Sequence, residues 1–176
     1  AGHSLGGYIS FEFQKRYPQM VKGLIMINSN TYSDSEEVAA SRDKEIRFIT
    51  SGRHLTLASL AIPNMFKNDN LRRMDEKIQE IIEIAETHDP DGIAASVRGM
   101  ASRVDNTEYL SSLNLPILAI FGDSDHFFPK DMIESQIRAL PNIEAYIVTN
   151  SGHNSYLEEP VKVSQRIIDF ITTKSC

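Results

Sequence analysis

Apolar residues in this chain fall into two kinds of run. Residues 21–28, 115–121 and 143–148 are short and apolar or branched, which predicts strands; the first is nearly continuous and reads as a buried strand of a parallel sheet. Elsewhere the apolar positions recur at helical spacing. Tyr8, Ile9, Phe11, Phe13 and Tyr17 predict a helix over 5–17, stopped by Pro18. Ser33 and Glu36 match a capping box for a helix over 35–48, with a break at 49–52 and a shorter helix over 54–62 that Pro63 ends. Leu71, Met74, Ile78, Ile81, Ile82 and Ala85 share one helical face, and 93–102 forms another helical segment. Further helices are predicted over 129–140 and from Pro160 onward.

Strand and helix alternate at both ends of the chain, which predicts an α/β class with a mostly parallel sheet. The middle is helical throughout. A single crossover between parallel strands needs only one helix, so the surplus predicts an inserted helical cap. The division expected is 1–32 (a tight turn, a helix and a core strand), 33–112 (the helical cap or lid) and 113–176 (the rest of the core).

Composition narrows the class. The 176 residues are 41% hydrophobic and carry a net charge of -6, enough for a real core and no reason to expect a nucleic-acid partner. No apolar run approaches the length of a membrane span, so no membrane partner is expected either. The single cysteine, Cys176, excludes an intrachain disulfide and favours a reducing, cytoplasmic compartment.

The chemistry starts at Gly2-His3-Ser4-Leu5-Gly6-Gly7. Gly-x-Ser-x-Gly is the form of a nucleophile elbow, a sharp strand-to-helix turn that presents the serine hydroxyl above the sheet. The strand that should precede it is expected to lie before Ala1. A serine needs a base to take its proton, and the base needs a group that fixes its tautomer. Ser4, then Asp123 or Asp125, then His153 follow the ends of three predicted strands, and in a parallel sheet those ends share one edge. Asp125 is the preferred acid, because Asp123 sits where it can satisfy local backbone donors after Gly122. Leu5 N–H is the oxyanion donor that follows the nucleophile. His3 is expected to pack or hydrogen-bond beneath the elbow. His3, Asn28, Met65, Phe66, Met74, Met100 and His126 are candidate pocket residues. Five scattered histidines and a short Asp123–Asp125 loop fit neither a zinc nor a calcium site, and no cofactor is expected.

With these motifs in place, the chain resembles the α/β-hydrolase superfamily, and within it the small-ester and lactone hydrolases with helical caps, including the 3-oxoadipate enol-lactonase-like enzymes. The likeness rests on the elbow, on the cap segment from Asp91 to Asp105, on the acid turn Gly122-Asp123-Ser124-Asp125 and on the histidine loop Ser151-Gly152-His153-Asn154. It implies Asp125 as the acid and an upstream portion with the first strands and an oxyanion loop. It also implies hydrolysis of a small ester or lactone through an acyl-enzyme. Two consequences are expected: little activity for this stretch alone, and a need for the upstream segment or for self-association along an exposed sheet edge. The competing readings are haloperoxidase-like chemistry or carbon–carbon bond hydrolysis on the same scaffold, and a non-catalytic ligand-binding protein.

Overall fold

The computed structural model describes residues 1–174, so Cys176 lies outside the described residues. Four parallel strands form a sheet in sequence order: β1 (Gly2–His3), β2 (Leu24–Ile27), β3 (Ile117–Gly122) and β4 (Ile143–Val148). The expected strands are all present, the first two shorter than the apolar runs. Val21 still closes a turn on the Pro18 carbonyl, so β2 starts only at Leu24, whose N–H donates to the Pro116 carbonyl. The strand before the elbow, expected to lie before Ala1, is present as Gly2 and His3, in register with Met26 and Ile27.

Alternation along the strands sorts the core into two layers. Leu24, Met26, Ile117, Ala119 and Phe121 face α1 (Leu5–Arg16) and α7 (Lys130–Ala139) through Phe11 and Ile133. Ile25, Leu118, Ile120 and Val148 face α9 (Pro160–Lys174) through Val163 and Phe170. Two short helices escape periodicity in the sequence, α6 (Thr107–Ser111) and α8 (Ser155–Glu158). Each is about one turn long, too short to repeat an apolar position.

The chain divides into two compact units, 1–32 with 105–176, and 33–104. The helical segment therefore closes at 104 and not at 112. Leu110 on α6 is fully buried and belongs to the core of the sheet unit. The helical unit contains α2 (Glu36–Phe48), α3 (His54–Ala61), α4 (Asp75–Glu86) and α5 (Pro90–Ala101). Its core joins Ile49, Ala94 and Val97 to Ile46, Leu57, Ile93 and Met100. Ser35, and not Ser33, caps α2, accepting from Val38 N–H at 3.3 Å. The predicted break is a wide turn over Ile49–Arg53 that Gly52 permits at φ 81°. Among the described residues no helix is long and apolar enough to cross a membrane.

Within this unit Asp34 and Arg103 stand near the two ends of the inserted segment and pair with each other, and Arg42 joins them on the same carboxylate. The Asp34 side chain is 3% exposed, so its charge depends on these two guanidiniums. Asp34→Ala should therefore lower the unfolding free energy by about 3 kcal/mol, the lower end for breaking a buried pair because Arg42 keeps some solvent. Denaturant titration measures it, and a loss within about 0.5 kcal/mol, as for an ordinary surface change, would refute the role.

Candidate active site

The parallel register carries the carboxyl ends of all four strands to one edge of the sheet. Ser4 follows β1, Asn28 follows β2, Asp125 lies three residues past β3 and His153 five past β4. Ser4 has the strained backbone an elbow needs, φ 49° and ψ -116°, a region a residue with a Cβ seldom adopts. It is held there from several sides. Ser4 N–H donates to the Ile27 carbonyl at 3.0 Å, and the Ser4 carbonyl accepts from Gly7 N–H and Ser29 Oγ, each at 2.9 Å. Leu5 N–H opens α1, where the first N–H groups have no intrahelical acceptor.

The glycines of this turn are unequal. A Cβ on Gly2 would sit 2.1 Å from the Gly6 carbonyl oxygen, and one on Gly7 would sit 2.2 Å from Ser29 Oγ. A Cβ on Gly6 would meet no side chain or other backbone within 4 Å beyond its own helix and neighbours, although the sequence pattern gives it the same weight as Gly2. The close-packing glycines are therefore Gly2 and Gly7.

Asp125 and His153 are both buried, and they meet: His153 Nδ1 lies 2.9 Å from Asp125 Oδ2. A carboxylate can only accept, so the imidazole proton is on Nδ1 and the Nε2 lone pair is left available as a base. Asp125 Oδ2 also accepts from Asn28 Nδ2 at 2.8 Å, and Oδ1 accepts from Phe127 N–H at 2.9 Å. Burial alone would raise the Asp125 carboxyl, but the His153 hydrogen bond and charge, with Asn28 and the Phe127 N–H, outweigh it and hold the group below its ordinary range. Phe127 and Phe128 flank the His153 ring, with centroids 4.9 and 5.5 Å away.

Asp123, the other acid considered, is occupied elsewhere. Its carboxylate accepts from Asn150 N–H at 3.0 Å and Ser151 N–H at 3.2 Å, which ties the acid turn to the histidine loop. The same two loops touch at Gly122, where a Cβ would lie 2.1 Å from the Gly152 carbonyl oxygen. Glu158, buried on α8, accepts from Gly152 N–H at 2.6 Å and steadies the loop from its other side.

His3 directly precedes the elbow serine. Its Nε2–H donates to the His153 carbonyl at 2.8 Å, and its ring packs against His153 and Tyr156, each at 4.9 Å. Burial lowers its pKa from 6.5 to about 4, with the hydrogen bond to the carbonyl opposing the shift, so the ring is neutral at neutral pH. No hydrogen bond joins Ser4 Oγ to His153 among the described residues. His3 links the two instead, as the chain neighbour of one and the packing partner of the other.

The remaining pocket candidates divide. Asn28 is fully buried, and its side chain is spent on Asp125, Gly152 and Ser155, so it stands behind the acid and not on a pocket wall. His126 is exposed. In the helical unit Phe66 and Met74 are buried, Met65 is half-buried, and Met100 packs into that unit's own core. Ser155 and Glu158 were missed in the sequence. Their only signal is a polar residue in a short segment after the histidine.

These features define a parallel α/β protein with serine, aspartate and histidine at the carboxyl edge of its sheet. The chain belongs to the alpha/beta hydrolase fold family, whose model matches residues 1–160. It is 25% identical over 174 residues to a 2-hydroxy-6-oxononadienedioate/2-hydroxy-6-oxononatrienedioate hydrolase of Paraburkholderia phymatum, covering 97% of this chain and 60% of that protein. Carboxylesterase YbfK of Bacillus subtilis is 25% identical over 183 residues, covering 97% of this chain and 56% of its own length. Among solved structures, a malate-bound thermophilic esterase from Thermogutta terrifontis superposes with a TM-score of 0.90 at 28% identity, over 98% of this chain and 64% of that one. The chain thus spans about three-fifths of the length of these relatives.

Two outcomes are expected from the geometry. Gly7→Ala should destabilise the fold by about 1–3 kcal/mol through overpacking against Ser29. Gly6→Ala should be neutral or stabilising by up to about 1 kcal/mol, because it adds helix propensity in open space. Thermal or denaturant unfolding distinguishes them, and equal losses would contradict the assignment. The second outcome concerns pH. His3 binds its proton near pH 6.5 when unfolded but only near 4 when folded, so the stability it contributes above 6.5 is lost as pH falls toward 4. The loss should reach about 3 kcal/mol at about 1.4 kcal/mol per unit. His3→Gln keeps a donor to the His153 carbonyl and cannot titrate, so its stability should vary less over that window. Identical pH curves for the two proteins would count against a buried neutral His3.

Proposed function

We propose that the protein is a serine hydrolase of a small carbonyl compound, with Ser4 as nucleophile, His153 as base and Asp125 as the group that orients His153. The observation that carries this reading is the buried His153 Nδ1–Asp125 Oδ2 hydrogen bond, which leaves Nε2 as a proton acceptor on the sheet edge that also holds the strained Ser4. His153 takes the Ser4 proton as Oγ attacks the carbonyl carbon. Leu5 N–H, aligned with the start of α1, stabilises the developing oxyanion. Collapse of the adduct expels the leaving group, which takes the proton from His153. Water activated by His153 then frees the acyl group from Ser4. Asp125 stays ionised throughout.

Two bonds suit this cycle. An ester or lactone loses an alkoxide, which the likeness to the Thermogutta terrifontis esterase and to carboxylesterase YbfK supports. A 2-hydroxy-6-oxodienoate instead loses a carbon fragment: its enol proton first moves to C5 to give the keto form, the C5–C6 bond beside the attacked ketone then breaks, its electron pair enters the conjugated enone as a dienolate, and that fragment picks up the proton from His153. Several curated relatives are named as hydrolases of 2-hydroxy-6-oxononadienedioate, a compound with a ketone and carboxylates and no ester, so its hydrolysis must break carbon–carbon. They give carbon–carbon hydrolysis more support than ester cleavage.

In the protein carrying the upstream segment that the resemblance implies, fluorophosphonate should label Ser4 stoichiometrically, and Ser4→Ala and His153→Ala should each lower turnover by at least about 10³-fold. A folded protein that resists labelling would instead be a ligand-binding member of the family. Parallel assays with a nitrophenyl ester and a 2-hydroxy-6-oxodienoate choose between the bonds. Preference for the dienoate in kcat/KM is the expected result, and turnover of the ester alone would return the reading to ester hydrolysis.

A further inference from the structure

Asn28 combines features that a wall residue would not need. It is fully buried, it holds a left-handed backbone at φ 45°, and every polar atom of its carboxamide is engaged. Nδ2 donates to Asp125 Oδ2 at 2.8 Å and to the Gly152 carbonyl at 3.2 Å, while Oδ1 accepts from Ser155 Oγ at 2.6 Å. A carboxylate and a carbonyl can only accept, so both must face the NH₂ end, which leaves the oxygen to accept from the Ser155 hydroxyl. The amide therefore has a single orientation. Its backbone N–H donates to the Ile120 carbonyl at 2.7 Å, which anchors it to β3, the strand that delivers the acid.

The two acceptors belong to different loops. Asp125 lies on the turn after β3, and Gly152 is the chain neighbour of His153 after β4. One side chain thus bridges the acid and the loop of the base. Asp125 Oδ2 is shared between Asn28 and His153, so the amide limits where that oxygen sits relative to His153 Nδ1. The position calls for two donors, one acceptor and tolerance of positive φ, which asparagine supplies together.

We propose that Asn28, locked by Ser155, is a positioning residue that sets the Asp125–His153 hydrogen bond from behind. The inference rests on the hydrolase reading above for its consequence in catalysis, but not for its geometry. Asn28→Gly tests it, because glycine accepts the same backbone and removes only the amide. Two readouts are taken on folded protein: the low-field NMR resonance of His153 Nδ1–H, and the rate of Ser4 labelling by a fluorophosphonate. The expected result is loss of the resonance and labelling slowed by about tenfold or more, the scale seen for outer hydrogen-bond partners of metal-ligating histidines. Persistence of the resonance overturns the proposal at any labelling rate, and so does its loss with labelling unchanged. If the unmodified protein is not labelled at all, the hydrolase reading fails, while the resonance alone still decides the role of Asn28. If Asn28→Gly does not fold, Ser155→Ala carries the same two readouts, since it releases the amide oxygen and leaves the backbone alone. An undiminished resonance and rate in that variant overturn the proposal equally.

Discussion

Four strands running in one direction and in sequence order deliver four successive carboxyl ends along one edge, and the cluster of Ser4, Asn28, Asp125 and His153 depends on that constraint. A single antiparallel strand would send its following loop to the far side of the sheet. Here each end contributes a different part: the strained Ser4, the bridging Asn28, the ionised Asp125 and the loop of His153. Residues separated by 150 positions, such as His3 and His153, share a hydrogen bond only because of this register.

Close backbone approach then converts a shared edge into a site. Gly122 lets the acid turn touch the histidine loop, and Gly2 with Gly7 lets the elbow fold on itself against Ser29. Asp123 and Glu158 supply carboxylate acceptors to the N–H groups of residues 150–152, leaving Asp125 to accept from His153. Asp125, with donors on both oxygens, remains ionised in a buried place, whereas burial keeps His3 neutral against the opposing pull of its hydrogen bond to a carbonyl.

Much of this was legible in the order of residues. The strands over 115–121 and 143–148, the helices around them and the order Ser4, Asp125, His153 follow from periodicity and from an elbow pattern. What misled was local ambiguity. Ser33 and Ser35 both precede the acidic start of α2, and only geometry chose Ser35. Gly6 fits the motif, yet it is Gly7 that meets Ser29. Asn28 reads as a polar residue at a strand end, equally suited to a pocket wall or to a hidden bridge. Leu110 was assigned to the helical segment because a helix of about one turn has no period that shows which core it serves.

The sequence by itself determined the class of this protein, because a parallel α/β sheet and an elbow leave signatures within a few residues: apolar runs, caps, and glycines around a serine. The tertiary structure decided the division of labour among the polar residues. That Asp125 meets His153 while Asp123 meets residues 150 and 151, that Asn28 lies against Asp125, and that His3 meets the His153 carbonyl all depend on which groups from distant loops lie within hydrogen-bonding distance. That information is absent from any local pattern, since a hydrogen bond depends on position in space and the partners here lie from 27 to 150 residues apart.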